Sequence, residues 1–188
     1  MHTSSTTAAP ATATVTVPAG PVTVTATARG IVRVDFAGTD PATTAPEWPV
    51  DTDAASRAAG AAGVHPAAGA VAAAAAGELA AYFAGCLTHF TIALDPSATA
   101  RASSFRRRVW QALGHVGYGR TVTYGELAGL IGCPTAARAV GGALGANPCP
   151  VIVPCHRVVA AAGIGGFAGP LEFKQRLLRL EQGGGPVA

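Results

Sequence analysis

Charged side chains are scarce, 12% of the chain, while 49% of its residues are apolar. That balance excludes intrinsic disorder and predicts a globular protein. Cysteine is sparse too: Cys86, Cys133, Cys149 and Cys155, with no CxxC pair. This spacing does not resemble a disulfide framework and suits a reducing compartment. No run reads as long and apolar enough to span a membrane. Residues 3–17, mostly Ser, Thr, Ala and Val, lack the basic-then-apolar order of a signal peptide. The expectation is a soluble cytoplasmic chain of one domain or two small ones, with enough mass for a core.

The charges present are unevenly placed. Residues 1–100 carry three Arg against seven acids, and residues 101–188 carry ten Lys or Arg against three acids. A basic second half suggests a polyanionic partner, although a solvated basic face would read the same way.

Residues 1–14 read as a disordered Thr/Ala/Ser/Pro tail. Val15–Val17, Val22–Ala28 and Ile31–Phe36 read as antiparallel strands, turning at Arg29-Gly30. Residues 37–66 read as a loop docked by Trp48. Residues 67–87 predict a helix, with Leu79, Tyr82, Phe83, Cys86 and Leu87 on one apolar stripe. Cys86 is then simplest as a core residue. Cys86 and His89 have no matching second pair, so no metal site is expected. Phe90–Leu94 reads as a strand, and residues 96–102 as a linker. These readings put an N-terminal domain at 15–95 and a second domain at 103–188.

The second half is helical. Ser103 or Ser104 caps a helix with the stripe Phe105, Val109, Leu113 and Val116. Thr123 and Glu126 fit a capping box. Gly132-Cys133-Pro134 ends that helix, and Thr135 caps another, Ala136 to Leu144. Two short helices and a tight turn make a helix-turn-helix candidate. The last helix, beginning near Pro170, buries Phe173, Leu177 and Leu180. It exposes an expected Glu172–Arg176 pair. Glu181 falls on its apolar side near the C-terminus, where a negative charge is disfavoured, unless fraying lifts it into solvent.

Residues 147–159, Asn-Pro-Cys-Pro-Val-Ile-Val-Pro-Cys-His-Arg-Val-Val, organise the chain. Val151–Val153 reads as a buried strand stopped by Pro154. Cys155, His156 and Arg157 follow. A thiol beside a base and a guanidinium is a candidate nucleophile, and a small buried hydrophobe is the alternative.

Pro154-Cys155-His156-Arg157-Val158 resembles the active-site motif of the O6-alkylguanine-DNA alkyltransferases. The resemblance continues through Val109-Trp110, Tyr118-Gly119, Tyr124-Gly125-Glu126-Leu127-Ala128, Ala137-Arg138-Ala139-Val140, Asn147-Pro148, Gly166-Phe167-Ala168-Gly169, Lys174 and Glu181. It covers nearly all of residues 105–181 and is looser over Pro18–Phe36. It implies an α+β protein: a small RNase H-like sheet-plus-helix domain, then a mainly helical domain carrying a helix-turn-helix.

The resemblance also implies a chemistry. Cys155 would take an alkyl group from guanine O6 through a relay of water, His156 and Glu181. An ordinary thiol, with a pKa of about 8.5, is mostly protonated at neutral pH and needs such help. The thioether product has no good leaving group, so each protein would act once, without a cofactor. The base would be flipped from duplex DNA. Arg138 would fill the gap from the minor groove and Tyr124 would drive the rotation. Ala137, Arg157, Val158, Phe167 and Ala168 would complete the DNA and base contacts. Asn147, in the same set, would brace the turn. The implied partner is double-stranded DNA containing alkylated guanine, with O4-alkylthymine open as a second substrate. The protein would be a monomer with no membrane partner. A non-reactive damage-binding protein is the alternative. A helix-turn-helix transcription regulator would leave Cys155, His156 and Glu181 unexplained. The chain departs from the family pattern at Ala102-Ser103, Arg106, Arg120 and Pro170. Its Gly163–Phe167 loop is about one residue short, which bears on pocket width.

Overall fold

A computed structural model describes residues 9–17, 20–36 and 66–183. The loop expected at 37–66, with Trp48, lies almost wholly outside the described residues. The first half is a three-stranded antiparallel sheet, β1 (Ala11–Val17), β2 (Gly20–Thr27) and β3 (Gly30–Phe36), in that order. β1 begins inside the stretch read as a disordered tail. Its alternation explains why: Ala11, Ala13, Val15 and Val17 are buried, and the threonines between them face outward.

Helix α1 (Pro66–Phe83) covers the buried face of the sheet. Ala68, Ala72, Ala75, Ala76, Leu79, Tyr82 and Phe83 form its buried stripe. The alanines let the helix lie close to the strands. Contrary to the sequence reading, α1 is long and apolar enough to cross a bilayer, with a mean hydropathy of 1.2 over 18 residues. Alanine supplies that hydropathy, and the stripe packs on the sheet. The chain leaves α1 through Gly85, at φ 73°. Cys86 therefore lies beyond the helix and is exposed rather than in the core.

Phe90–Leu94 is not a regular strand. Only Leu94 bridges to Ile31, in parallel, through Ile31 N–H to Ala93 O (2.9 Å) and Asp95 N–H to Ile31 O (2.8 Å). Gly30, at φ 145°, permits this approach, since a Cβ there would lie 2.8 Å from Asp95 N. Asp95 is fully buried. It accepts from Thr27 Oγ1, Arg29 and Ser97 N–H, and it caps a 3-10 turn at Pro96–Thr99. These bonds, Thr27's first, hold its carboxyl well below the usual range despite burial. Asp95, the last residue of the expected first domain, thus ties the start of the 96–102 stretch to the sheet.

The second half contains α2 (Ser104–Leu113), α3 (Tyr124–Leu130), α4 (Ala137–Gly145) and α5 (Leu171–Glu181). Ser103 caps α2, accepting from Arg106 N–H at 3.3 Å. The Thr123–Glu126 capping box forms in full at α3. Thr135 does not cap α4; Ala136 precedes that helix and supplies no side-chain bond. Trp110 Nε1–H donates to Ala143 O (3.0 Å) and locks α2 to α4. A short parallel pair, β4 (Val122–Thr123) with β5 (Val158–Val159), joins the start of α3 to the segment after Cys155. Glu172 and Arg176 form no ion pair among the described residues.

Candidate active site

The run Val151–Val153 folds as a turn. Val151 sits at φ 74°, the one non-glycine with positive φ among the described residues. Pro150 and Val153 make only an isolated bridge. Such a backbone is costly for a β-branched residue. Burial of Val151 and Val153 and the bonds of Asn147 hold it in place. Asn147 Nδ2–H donates to Val153 O (2.8 Å), and its Oδ1 accepts from Cys149 N–H (3.0 Å). Asn147 is therefore a brace of the loop and does not line the cleft.

Cys155, His156 and Arg157 form one 3-10 turn rather than the end of a strand. Successive side chains need not alternate as on a strand, and all three are buried. Burial raises the Cys155 thiol pKa; the Asn147 amide and the Lys174 ammonium act against that rise.

Glu181 is the centre of the site. Its side chain is 1% exposed, so fraying does not release it. Oε1 accepts from His156 Nε2–H (2.9 Å), Tyr82 O–H (2.7 Å) and Arg157 Nη2–H (2.8 Å). Oε2 accepts from Arg157 Nε–H (2.9 Å) and Gly119 N–H (3.1 Å). Burial alone would raise the carboxyl pKa, but bonds from His156, Arg157 and Tyr82 outweigh it and hold it at about 2. The carboxylate is ionised at neutral pH, so the nitrogen facing it, Nε2, carries the imidazole proton.

His156 is wholly buried, and burial, opposed by Glu181, lowers its pKa. The neutral ring leaves Nδ1 bare. Nδ1 is the one buried side-chain polar atom among the described residues without a hydrogen-bond partner. The arrangement is a base with one ring nitrogen anchored on a carboxylate and the other without a partner.

Arg157, expected among the DNA and base contacts, is turned inward. Its side chain is 10% exposed and forked onto Glu181, and Nη1–H donates to Val116 O (2.6 Å). Its guanidinium lies 5.9 Å from the Tyr118 ring centroid. A guanidinium suits this bidentate contact. Val158 is fully buried as well. Its N–H donates to Cys155 O and its carbonyl accepts from Lys174 Nζ (2.6 Å), so both backbone groups already have partners.

The other expected contacts converge. Tyr124, Ala137, Arg138, Phe167, Ala168 and Cys155 line one cleft of about 570 Å³. Arg138 is exposed at its edge. Tyr124 O–H donates to Gly166 O (3.3 Å), and Lys174 Nζ also donates to Gly166 O (2.9 Å). These bonds position the loop that forms one wall. Gly165, at φ 73°, fits where a Cβ would lie 2.9 Å from Ala160 N and 3.0 Å from Tyr124 Cε2. A second cavity, about 460 Å³, lies between residues 88–99 and α2. It reaches Pro154 and Arg157 but not Cys155, so the chemistry belongs to the first.

Sequence reasoning missed Tyr82, Gly119 and the inward role of Arg157. Tyr82 looked like any other member of an apolar stripe. Lys174 had one available signal, a charge beside Phe173 on the buried face of α5.

The family described as "6-O-methylguanine DNA methyltransferase, DNA binding domain" matches residues 104–183. A methylated-DNA–protein-cysteine methyltransferase of Mycolicibacterium paratuberculosis is 53% identical over 112 residues, 59% of this chain and 66% of that protein. That stretch falls just short of two thirds of the curated relative's length. The crystal structure of Mycobacterium tuberculosis OGT in complex with DNA matches with TM-score 0.71 and 36% identity, covering 93% of this chain and 94% of that one. The O6-methylguanine-DNA methyltransferase of Pyrococcus kodakaraensis, at 23% identity and TM-score 0.58, shares the fold, over 92% of this chain and 99% of that one. With over a third of its residues identical across nearly the whole length of a solved relative, the chain belongs to the methylated-DNA–protein-cysteine methyltransferase family.

Proposed function

We propose that this protein repairs DNA by moving an alkyl group from O6-alkylguanine to Cys155, once per molecule. The observation that carries the reading is the bare Nδ1 of His156, next in the chain to a thiol at a cleft and anchored through Nε2 to an ionised Glu181. Nδ1 accepts the thiol proton, directly or through one water. The thiolate attacks the alkyl carbon, forming a C–S bond. The C–O6 bond breaks with its electron pair going to O6, and the guanine takes up a proton as it regains its keto form. Glu181 stabilises the imidazolium that results. No cofactor takes part. Nothing in the thioether favours its cleavage, so the protein is consumed.

The target atom is stacked inside the duplex, and flipping it out costs a few kcal/mol. Arg138, exposed at the cleft edge, fills the vacated space from the minor groove. Tyr124 guides the flipped base, and Phe167 and Ala168 close over it. In this reading α3 and α4 are the helix-turn-helix, and the sheet with α1 is an RNase H-like domain. The protein works as a monomer in the cytoplasm, where its DNA is.

Intact-protein mass after incubation with duplex DNA containing one O6-methylguanine tests the proposal. One added methyl, mapped to Cys155 and absent from Cys155→Ala, is expected. No mass gain with tight, lesion-selective binding would replace transfer by a damage-binding role.

A further inference from the structure

Tyr82 reaches the site from the other half of the protein. It is the largest fully buried side chain among the described residues, near the end of α1. Its ring packs against Phe83, Phe90 and Tyr118, with centroids 5.4, 5.3 and 6.1 Å away. Its hydroxyl then departs from this apolar setting. It donates to Glu181 Oε1 at 2.7 Å and lies 3.4 Å from His156 Nε2. Nothing in packing the sheet calls for that hydroxyl, since a phenylalanine would fill the same apolar space.

We infer that Tyr82 is a positioning residue of the proton relay: by occupying the carboxylate oxygen that also holds His156 Nε2–H, it sets the basicity of the imidazole. Oε1 accepts from three residues, Tyr82, His156 and Arg157, and each one draws on the same electron density. With the Tyr82 hydroxyl removed, the carboxylate binds the imidazolium more strongly. His156 then keeps its proton to higher pH and is less available as a base. The hydroxyl also fixes the face of the carboxylate on which the imidazole docks. Burial beside Glu181 keeps the phenol protonated, so it is always a donor.

The charged and titratable groups around His156 are Glu181 and Lys174 from α5, Arg157 and Cys155 from its own turn, and Tyr82 from α1. Tyr118 lies one layer out, over Arg157. Of these, Tyr82 alone comes from the first half of the chain. The sheet-plus-helix half therefore contributes a functional hydroxyl to the relay, in addition to its packing.

This inference rests on the repair reading above, and the test separates the two. Single-turnover methyl transfer is followed by intact mass across the range in which imidazole titrates, about pH 5 to 8. Labelling of Cys155 by iodoacetamide is measured over the same range and needs no DNA. With Tyr82→Phe, both profiles are expected to move to higher pH, with rates about threefold lower at the acidic end and little changed at the alkaline end; such a threefold change corresponds to about half a pH unit. Replacing Tyr82 by 3-fluorotyrosine, a stronger donor of nearly the same shape, is expected to move both profiles the other way. That replacement carries the test if Tyr82→Phe does not fold. A purely structural role would lower the melting temperature and slow the reaction equally at every pH. Superimposable profiles for wild type and both replacements would overturn the inference. Failure of wild-type transfer alone would overturn the repair reading and leave the labelling profiles to decide on Tyr82.

Discussion

Replacing Glu181 by Gln keeps the shape of the side chain and removes its charge. The Arg157 guanidinium, 10% exposed, then lies buried without its counterion. Breaking a buried pair in this way costs about 3–5 kcal/mol. The carboxyl's own titration provides a second route to the number. It is held at about 2 when folded, against about 4.3 in an unfolded chain. At 1.36 kcal/mol per pH unit, the difference is about 3 kcal/mol. The folded state binds this proton less readily than the unfolded state. The stabilisation is therefore complete above about pH 4.3 and disappears as pH falls towards 2. Denaturant unfolding of wild type and Glu181→Gln at pH 7, 5, 4 and 3 should show a gap of about 3 kcal/mol at pH 7 that narrows through the two lowest points. Adding Arg157→Met should recover part of the loss, because the orphaned charge goes with it. A gap below about 1 kcal/mol at pH 7, or one that stays constant down to pH 3, would refute the account of Glu181 as a charged hub.

Arg138→Ala should keep reaction with free alkylguanine and slow reaction with duplex DNA; equal loss on both, measured by product mass, would remove its flipping role. Gly119→Ala should cost about 2–3 kcal/mol in denaturant unfolding, because φ is 70° and a Cβ there would lie 2.7 Å from Glu181 O. Lys174→Met should retain the buried stem but lose the bonds to Val158 O and Gly166 O. Hydrogen exchange at Gly165–Phe167 should then quicken, and Cys155 should react more slowly for want of the nearby cation.

Where the controlling interactions were local, the sequence sufficed. The Thr123–Glu126 capping box needs only four residues, and it formed as expected. The stripe of α5 and the start of α2 at Ser103 follow from the same short-range rules. Three β-branched residues at 151–153 misled, because β propensity reflects partners and, among the described residues, no strand pairs with them. Burial and the Asn147 bonds hold them in a turn. The exposed position of Cys86 depended on whether the chain stayed helical past Gly85, and its positive φ ended the stripe early. Thr135 missed its role because α4 starts a residue later than the cap rule suggests. At the site, Cys155, His156 and Glu181 were legible through family resemblance. The bond from Tyr82 to Glu181 spans 99 residues, and periodicity carries no information at that range.

The five donors on Glu181 come from α1, from Gly119 and from the Cys155–Arg157 turn, segments drawn from both halves of the chain. Neither half can come apart from the other without stripping that carboxylate of bonds it needs while buried. Separation and loss of the site are thus one thermodynamic event. A calorimetric scan should show a single heat-absorption peak, with calorimetric and van't Hoff enthalpies in agreement. The loss of reactive thiol should follow the same curve, leaving no temperature at which the sheet-plus-helix half melts while the half carrying Cys155 survives.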